Sequence, residues 1–302
     1  MELRHLRYFD AVATELSFSR AAEKLHIAQP PLSRQIRQLE DELGAELFDR
    51  KARPLSLTPA GRYFHAQVVQ TLSRLSEAAR GTRRIAEGHQ GWFGIGFVPS
   101  TLYGFLPDVI RRFREAHPRV EVGLCELTTV KQHEALKAGR IDVGFGRLEL
   151  DDVALSSEVV ARDPLVAALP ARHRLLASQR VPLARLAEEP LLLYPAQTRP
   201  SYADQMLAHF EARGLRPRVV QEANEMQTAI GLVAAGIGVT LVPSPVQALQ
   251  RQDVAYRPLR EAGIDSPVVM SQRRGDASPL LQAFRALVAE TLVQAMTAPR
   301  AR

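Results

Sequence analysis

Between Phe18 and Leu43 the chain sets Ser33, Arg34, Arg37 and Gln38 on the polar side of one helical stretch. An arginine guanidinium can meet guanine through two hydrogen bonds and a glutamine amide can do the same with adenine. A serine hydroxyl reaches bases or phosphates. The chemistry these types share is the reading of a nucleic-acid groove; the competing reading is a solvated helix face, which is what most charged faces are. The turn Arg50-Lys51-Ala52-Arg53-Pro54 adds a basic cluster, Arg50, Lys51 and Arg53, suited to phosphates or a minor groove. A second chemistry lies further on. Pro99-Ser100-Thr101 and Leu127-Thr128-Thr129 put hydroxyls immediately before helical stretches. Free N–H groups and partial positive charge at helix starts favour carboxylates. Two such starts facing one cleft would hold two carboxylates of one small molecule, although Ser100 and Thr129 taken alone can equally be N-caps.

The elements that must position the first group are short helices. Ser19 is the expected N-cap of one, with Ala21, Ala22 and Leu25 on its inner face. Gln29 precedes a proline, which disfavours helix there, while Pro30 and Pro31 fit a first helical turn. Leu32, Ile36, Leu39 and Leu43 then form one apolar stripe and Gly44 stops the helix. Leu3, Leu6, Phe9 and Ala13 give an earlier helix that packs under these two. After Leu47 and Phe48, Leu55 and Leu57 alternate with Ser56 and Thr58, a small hairpin or wing. Thr58-Pro59 starts a long helix reaching about Gly88, in which Phe64, Val68, Leu72, Leu75 and Ala79 make a coiled-coil-like seam. A single stripe with no core of its own calls for the same helix of a second subunit; the alternative is packing on its own chain.

Gly88-His89-Gln90-Gly91 breaks the pattern and is the expected domain boundary. Strand and helix alternate beyond it, implying a mainly parallel sheet covered by helices. Strands are expected at 94–98, 120–124 and 141–145, and helices at 106–114 and 131–138. A weaker echo has strands at 165–169, 191–194, 219–220 and 237–242, with helices at 202–213 and 228–235. Lys137-Ala138-Gly139-Arg140-Ile141 and Ala234-Ala235-Gly236-Ile237 share a helix–glycine–strand plan, so two similar lobes are expected. A late strand at 267–270 and a helix at 280–296 would return to the first lobe, with crossovers near Arg162–Pro164 and Gly263–Pro267 acting as a hinge.

Composition bounds the rest. The 302 residues carry a formal net charge of +6, which permits a polyanionic partner without requiring one. Residues 1–62 hold ten Lys or Arg against nine Asp or Glu, so any affinity for DNA must come from placement rather than total charge. Cys125 is the sole cysteine, which excludes an intramolecular disulfide and fits a reducing cytoplasm. No signal-peptide core and no run of 18 apolar residues is present, so neither export nor a membrane partner is expected.

The dense run Ala21-Ala22-Glu23-Lys24-Leu25, Gln29-Pro30-Pro31-Leu32-Ser33-Arg34-Gln35-Ile36, Leu39-Glu40, Leu43-Gly44, Leu47-Phe48, Arg50 and Leu57-Thr58-Pro59-Ala60-Gly61 resembles the winged helix-turn-helix of LysR-type transcriptional regulators. Phe97-Val98-Pro99-Ser100-Thr101-Leu102-Tyr103-Gly104, Glu134-Ala135-Leu136-Lys137-Ala138-Gly139 and Ile141-Asp142-Val143-Gly144-Phe145-Gly146-Arg147 resemble the effector domain of that family. Within it they are nearest the subgroup controlling aromatic-compound degradation through muconate-like effectors. Leu192-Leu193-Tyr194-Pro195, Pro200-Ser201-Tyr202-Ala203 and the 232–243 segment extend the likeness.

The resemblance implies a mixed fold. An all-α winged helix-turn-helix domain (1–58) would be followed by a linker helix that dimerises (59–88). A two-lobed α/β effector domain like a periplasmic binding protein would follow (91–302; lobe I 91–162 and 265–302, lobe II 163–264). It implies DNA contacts from Ser19, Gln29, Pro30, Pro31, Ser33, Arg34, Arg37, Gln38, Arg50, Lys51 and Arg53. It implies effector contacts from Ser100, Thr101, Thr128, Thr129, Phe145, Arg147, Pro200 and Tyr202, with the role of Arg147 open between touching ligand and bracing the cleft. Pro99 departs from the serine or glycine common before that serine and removes an amide donor. The implied partners are promoter DNA, a small carboxylate such as a muconate or an aromatic acid, RNA polymerase, and copies of the chain as dimers and tetramers. No cofactor or metal is implied.

Two other functions compete with this reading. An enzyme is disfavoured because no histidine pairs with Cys, Asp or Glu at metal-ligand spacing, Gly94-x-Gly96 lacks a third glycine, and no nucleophile elbow appears. A plain solute-binding protein would explain two lobes but not residues 1–62.

Overall fold

A computed structural model describes residues 1–50, 52, 54–86, 91–197 and 199–297. Lys51, Arg53 and the break at residues 88–90 lie outside the described residues. The chain forms two compact units, Met1–Arg83 and Arg84–Arg302.

The first unit contains α1 (Leu3–Glu15), α2 (Phe18–Lys24), α3 (Gln29–Leu43), strands β1 (Phe48–Asp49) and β2 (Ser56–Leu57), and the start of α4 (Pro59–Ala86). Its core gathers Phe9, Val12, Ala21, Ala22, Leu32, Ile36, Leu39, Leu47 and Phe48. The two alanines let α2 lie close to its neighbours. The α2 N-cap is Ser17, whose hydroxyl accepts from the Arg20 N–H; Ser19 sits within the helix and is exposed, so the expected cap is shifted by one half-turn. Gln29 is already helical, because Ala28, extended at ψ 147°, takes the N-cap place and leaves both prolines in the first turn. Gly44 ends α3 at φ 65°, a conformation that favours glycine. Leu43 is exposed rather than part of the buried stripe. Glu40 is buried instead: its carboxylate accepts from the N–H groups of Leu47 and Phe48 at 2.9 and 3.3 Å, tying α3 to the wing.

α4 starts at Thr58, whose hydroxyl accepts from the Gly61 N–H at 2.9 Å. The helix continues without a break at Gly81. Its apolar stripe divides. Phe64, Val68 and Leu72 pack on the core of their own unit, with Phe64 against Phe9 at 5.2 Å, whereas Leu75 and Ala79 are exposed. The self-packing alternative therefore holds for the first half of the expected seam, because the small three-helix core is otherwise open on that side.

The second unit begins with β3 (Gly91–Phe97), a 3-10 turn at Pro99–Tyr103, α5 (Leu106–Ala116), β4 (Val120–Glu126), α6 (Thr129–Lys137) and β5 (Val143–Gly146). These three strands are parallel, in the order β4-β3-β5. Then comes β6 (Leu155–Pro170), followed by α7 (Leu183–Ala187), β7 (Pro190–Leu193), α8 (Tyr202–Glu211), β8 (Arg218–Glu222) and α9 (Met226–Ala234). β9 (Thr240–Pro243), β10 (Val254–Pro258), β11 (Asp265–Arg273) and α10 (Pro279–Thr297) complete it. β6 is one 16-residue strand, not a crossover followed by a short strand. It pairs antiparallel with β9 and β10 at one end and with β11 at the other, while β11 also pairs antiparallel with β5. The sheet is thus mostly antiparallel rather than mainly parallel, since a chain returning from the second lobe must enter the first in the opposite sense. The returning α10 lays Phe284 against Phe93 and Phe113. The second lobe has its own core, including Leu191, Phe210, Ile230 and Leu241. Residues Arg162–Pro164 and Asp265–Pro267 pair with each other where the chain passes between the two cores.

Candidate functional site

On α3, Arg34, Arg37 and Gln38 are exposed and Ser33 is half-buried. Among the described residues Arg34 and Arg37 carry no hydrogen bond or ion pair, so both guanidiniums are available to a partner. Gln29 and Pro30 are exposed and Pro31 is half-buried at the start of the same helix. Arg50 behaves differently. Its guanidinium pairs with the buried Glu40 at 2.5 Å and lies over the Phe18 ring at 5.8 Å. It holds the wing to α3 and α2.

In the second unit a cavity of about 270 Å³ opens between the lobes. Its first wall comes from the 3-10 turn after β3 and the start of α6. Thr128 caps α6, accepting from the Lys131 N–H, and Thr129 follows as the first helical residue. Beside them Arg147 leaves β5. Its backbone N–H donates to Thr129 Oγ1 at 3.1 Å, and its Nε donates to Ser100 Oγ at 3.0 Å. Both hydroxyls accept from Arg147, which leaves their own O–H hydrogens for another acceptor. Gly146 makes this contact possible: a Cβ there would come within 2.6 Å of the Thr129 side chain.

The Arg147 side chain is 4% exposed. Its Nη1 meets Asp163 Oδ2 at 2.7 Å and donates to the Ser266 carbonyl at 3.3 Å, while Nη2 is buried with no partner among the described residues. A buried, charged donor left unmatched is costly, and the residue that carries it lines the cavity. The opposite wall carries Tyr194 and Tyr202, whose rings lie 5.1 Å apart and whose hydroxyls both donate to the Leu241 carbonyl. Burial pushes both phenols up, so they stay neutral donors. Pro200 and Ser201 complete that side, Ser201 capping α8.

Residues 3–62 match the family described as bacterial regulatory helix-turn-helix protein, lysR family, and residues 86–293 match the LysR substrate binding domain. The chain belongs to the LysR family of transcriptional regulators. It is 54% identical over 290 residues to the HTH-type transcriptional regulator CatR of Pseudomonas putida, covering 96% of this chain and 99% of that one. The solved effector binding domain of BenM with its effector benzoate superposes with a TM-score of 0.65 at 34% identity, over 70% of this chain and 96% of that one. BenM is from Acinetobacter baylyi. Full-length CbnR complexed with its target DNA superposes with a TM-score of 0.77 at 30% identity, over 96% of this chain and all of that one.

Set against this regulator's expected effector residues, the structure brings Ser100, Thr128, Thr129, Arg147, Pro200 and Tyr202 around one cavity. It does not bring Thr101 or Phe145 there. Thr101 spends its hydroxyl on the Val98 carbonyl, and Phe145 is fully buried in the first lobe's core. The lining also includes Lys131, Tyr194, Asn224, Glu225 and Met226, which sequence reasoning missed. One signal for three of them was present: Asn224-Glu225 precedes the helix beginning at Met226, a third helix start of the kind already noted at Ser100 and Thr129. Among the described residues no cluster of His, Cys, Asp or Glu could hold a metal ion, and no helix is long and apolar enough to cross a membrane.

Proposed function

We propose that this LysR-family regulator reads double-stranded promoter DNA with the exposed side of α3. We also propose that it senses a small carboxylate, muconate-like or an aromatic acid, in the interlobe cavity to control genes of aromatic catabolism. The observation that carries the effector half is the buried Arg147 nitrogen without a partner, set beside hydroxyls whose hydrogens are unspent. A carboxylate supplies acceptors for all of them at once. The tyrosine pair opposite offers flat, partly apolar surface suited to a conjugated or aromatic body. The likeness to the BenM domain solved with its effector benzoate supports an effector of the aromatic-acid class.

Ser33, Arg34, Arg37 and Gln38 contact base edges in this reading, with Gln29, Pro30 and Pro31 setting the helix start and Lys51 and Arg53 reaching phosphates. Ser19 is exposed on α2, where it can meet the backbone of the duplex. Leu75 and Ala79, the exposed end of the α4 stripe, lie on one face of the helix and are the surface for a second subunit, and such dimers assemble into tetramers. The protein acts in the cytoplasm together with RNA polymerase. A ligand alters DNA reading only through what it binds differently in two states, which here means lobes open and lobes closed. Calorimetric titration with cis,cis-muconate and with benzoate tests the effector class, and absence of heat with both rejects it. Deleting residues 1–62 abolishes retardation of promoter DNA while leaving the effector heat intact; a retained shift rejects the DNA half.

A further inference from the structure

The buried His5 on α1 touches the reading helix from behind. The Glu2 N–H donates to His5 Nδ1 at 3.2 Å, so that nitrogen carries no hydrogen and the ring proton sits on Nε2. Nε2 is 2.9 Å from Gln35 Oε1 and therefore donates to it. With its oxygen turned inward, Gln35 offers its amide nitrogen to Gln38 Oε1 at 3.3 Å. Gln38 in turn donates from its own amide nitrogen to Glu42 Oε1 at 3.4 Å. His5 is 2% exposed, whereas Gln38 is exposed. A chain of donors and acceptors thus runs from a backbone N–H in α1 to the outer face of α3, and each link permits only one orientation of the next amide.

The orientation matters for recognition. Adenine presents one donor and one acceptor in a fixed order in the major groove, and a glutamine matches it only when its amide is turned one way. After its two contacts within α3, the Gln38 amide keeps one N–H and one oxygen lone pair for an outside partner. We propose that His5, which is buried on α1, is the positioning residue that sets the amide orientation of Gln38 and hence the base that Gln38 selects. This rests on the reading of α3 as the DNA-contacting helix.

The test uses the full-length protein. Bound duplexes are selected from a randomised pool, and fluorescence anisotropy then measures affinity for the selected duplex and for single-base-pair changes of it at fixed salt. Gln38→Ala identifies the base pair that Gln38 reads. His5→Leu is expected to reduce discrimination at that one base pair about tenfold, with affinity for a scrambled duplex unchanged. His5→Gln keeps a donor near the Nε2 position and retains the discrimination. Gln35→Met, which leaves α1 untouched, reproduces the loss even if His5→Leu perturbs folding. Full discrimination in both His5→Leu and Gln35→Met, alongside its loss in Gln38→Ala, overturns the proposal. If Gln38→Ala itself alters no base pair, the underlying assignment of Gln38 as a base reader fails first.

Discussion

Replacing Arg147 by methionine separates two roles that meet in one side chain. Methionine keeps much of the length and removes the charge. Asp163 then loses its cation, with its side chain 18% exposed. Breaking a buried pair from one side costs about 3–5 kcal/mol, and the partial hydration of Asp163 places this case near the lower end, about 3 kcal/mol. For a body of this size that lowers the melting temperature by about 6–12 °C. Adding Asp163→Asn removes the orphaned charge and should restore about 2 kcal/mol. Effector affinity responds otherwise. A hydrogen bond to a charged group contributes about 1.5–3 kcal/mol, so losing the Nη2 donor weakens binding about 10- to 150-fold in the single and in the double variant alike. Scanning calorimetry reads the first effect and isothermal titration with cis,cis-muconate or benzoate the second. Recovered stability with undiminished ligand affinity in the double variant would refute the argument, leaving Arg147 a brace between β5 and the paired crossover strands.

Other outcomes follow from separate parts of the chain. Glu40→Ala strands the N–H groups of Leu47 and Phe48 and releases Arg50, costing about 2–4 kcal/mol. Faster hydrogen exchange at those two amides reports it, and Glu40→Gln, which retains an acceptor, exchanges more slowly. Arg34→Ala and Arg37→Ala, each removing an unpaired guanidinium, weaken binding to a selected duplex about 5- to 150-fold if they read bases. A phosphate contact instead lowers the salt slope by about one per residue, and unchanged footprints in both variants reject α3 as the reading helix. His133 is buried, and that burial, opposed by Asp152 and reinforced by Lys137, holds its pKa below the ordinary 6.5. The unfolded chain therefore binds the extra proton first. His133 keeps the fold stable above about pH 6.5, and that contribution falls as the medium is acidified toward its lowered pKa. His133→Gln should flatten the melting temperature between about pH 7 and about pH 5; an unchanged slope would show that other groups govern it.

Much of the architecture was legible because local rules governed it. Pro30 and Pro31 mark the first turn of α3 and Gly44 stops it through backbone geometry that a few neighbouring residues dictate. The stripe of Leu32, Ile36 and Leu39 is buried as its spacing requires. The hydroxyls at Ser100 and Thr129 reach the cavity because the carboxyl ends of parallel strands gather their loops on one side of the sheet.

What remained illegible depended on partners distant in sequence. Arg50 reads as a free cation until Glu40, ten positions earlier, is found buried under it. Leu43 reads as core until the turn at Gly44 carries the chain away from its side of α3. The stripe of α4 reads as one seam, and only the open flank of the three-helix core decides that Phe64, Val68 and Leu72 stay with their own chain while Leu75 does not. Arg147 is the sharpest instance. Its motif position places it at the end of a strand, but its character comes from Ser100, 47 residues earlier, from Ser266, 119 residues later, and from Asp163 on β6. Asp163 and Ser266 are themselves the paired positions where the chain passes between the lobes. A ligand that draws on this guanidinium therefore acts on a group already bonded to both crossover strands. One side chain thus lines the cavity and braces the joint between the lobes, and no local pattern in the sequence can express that.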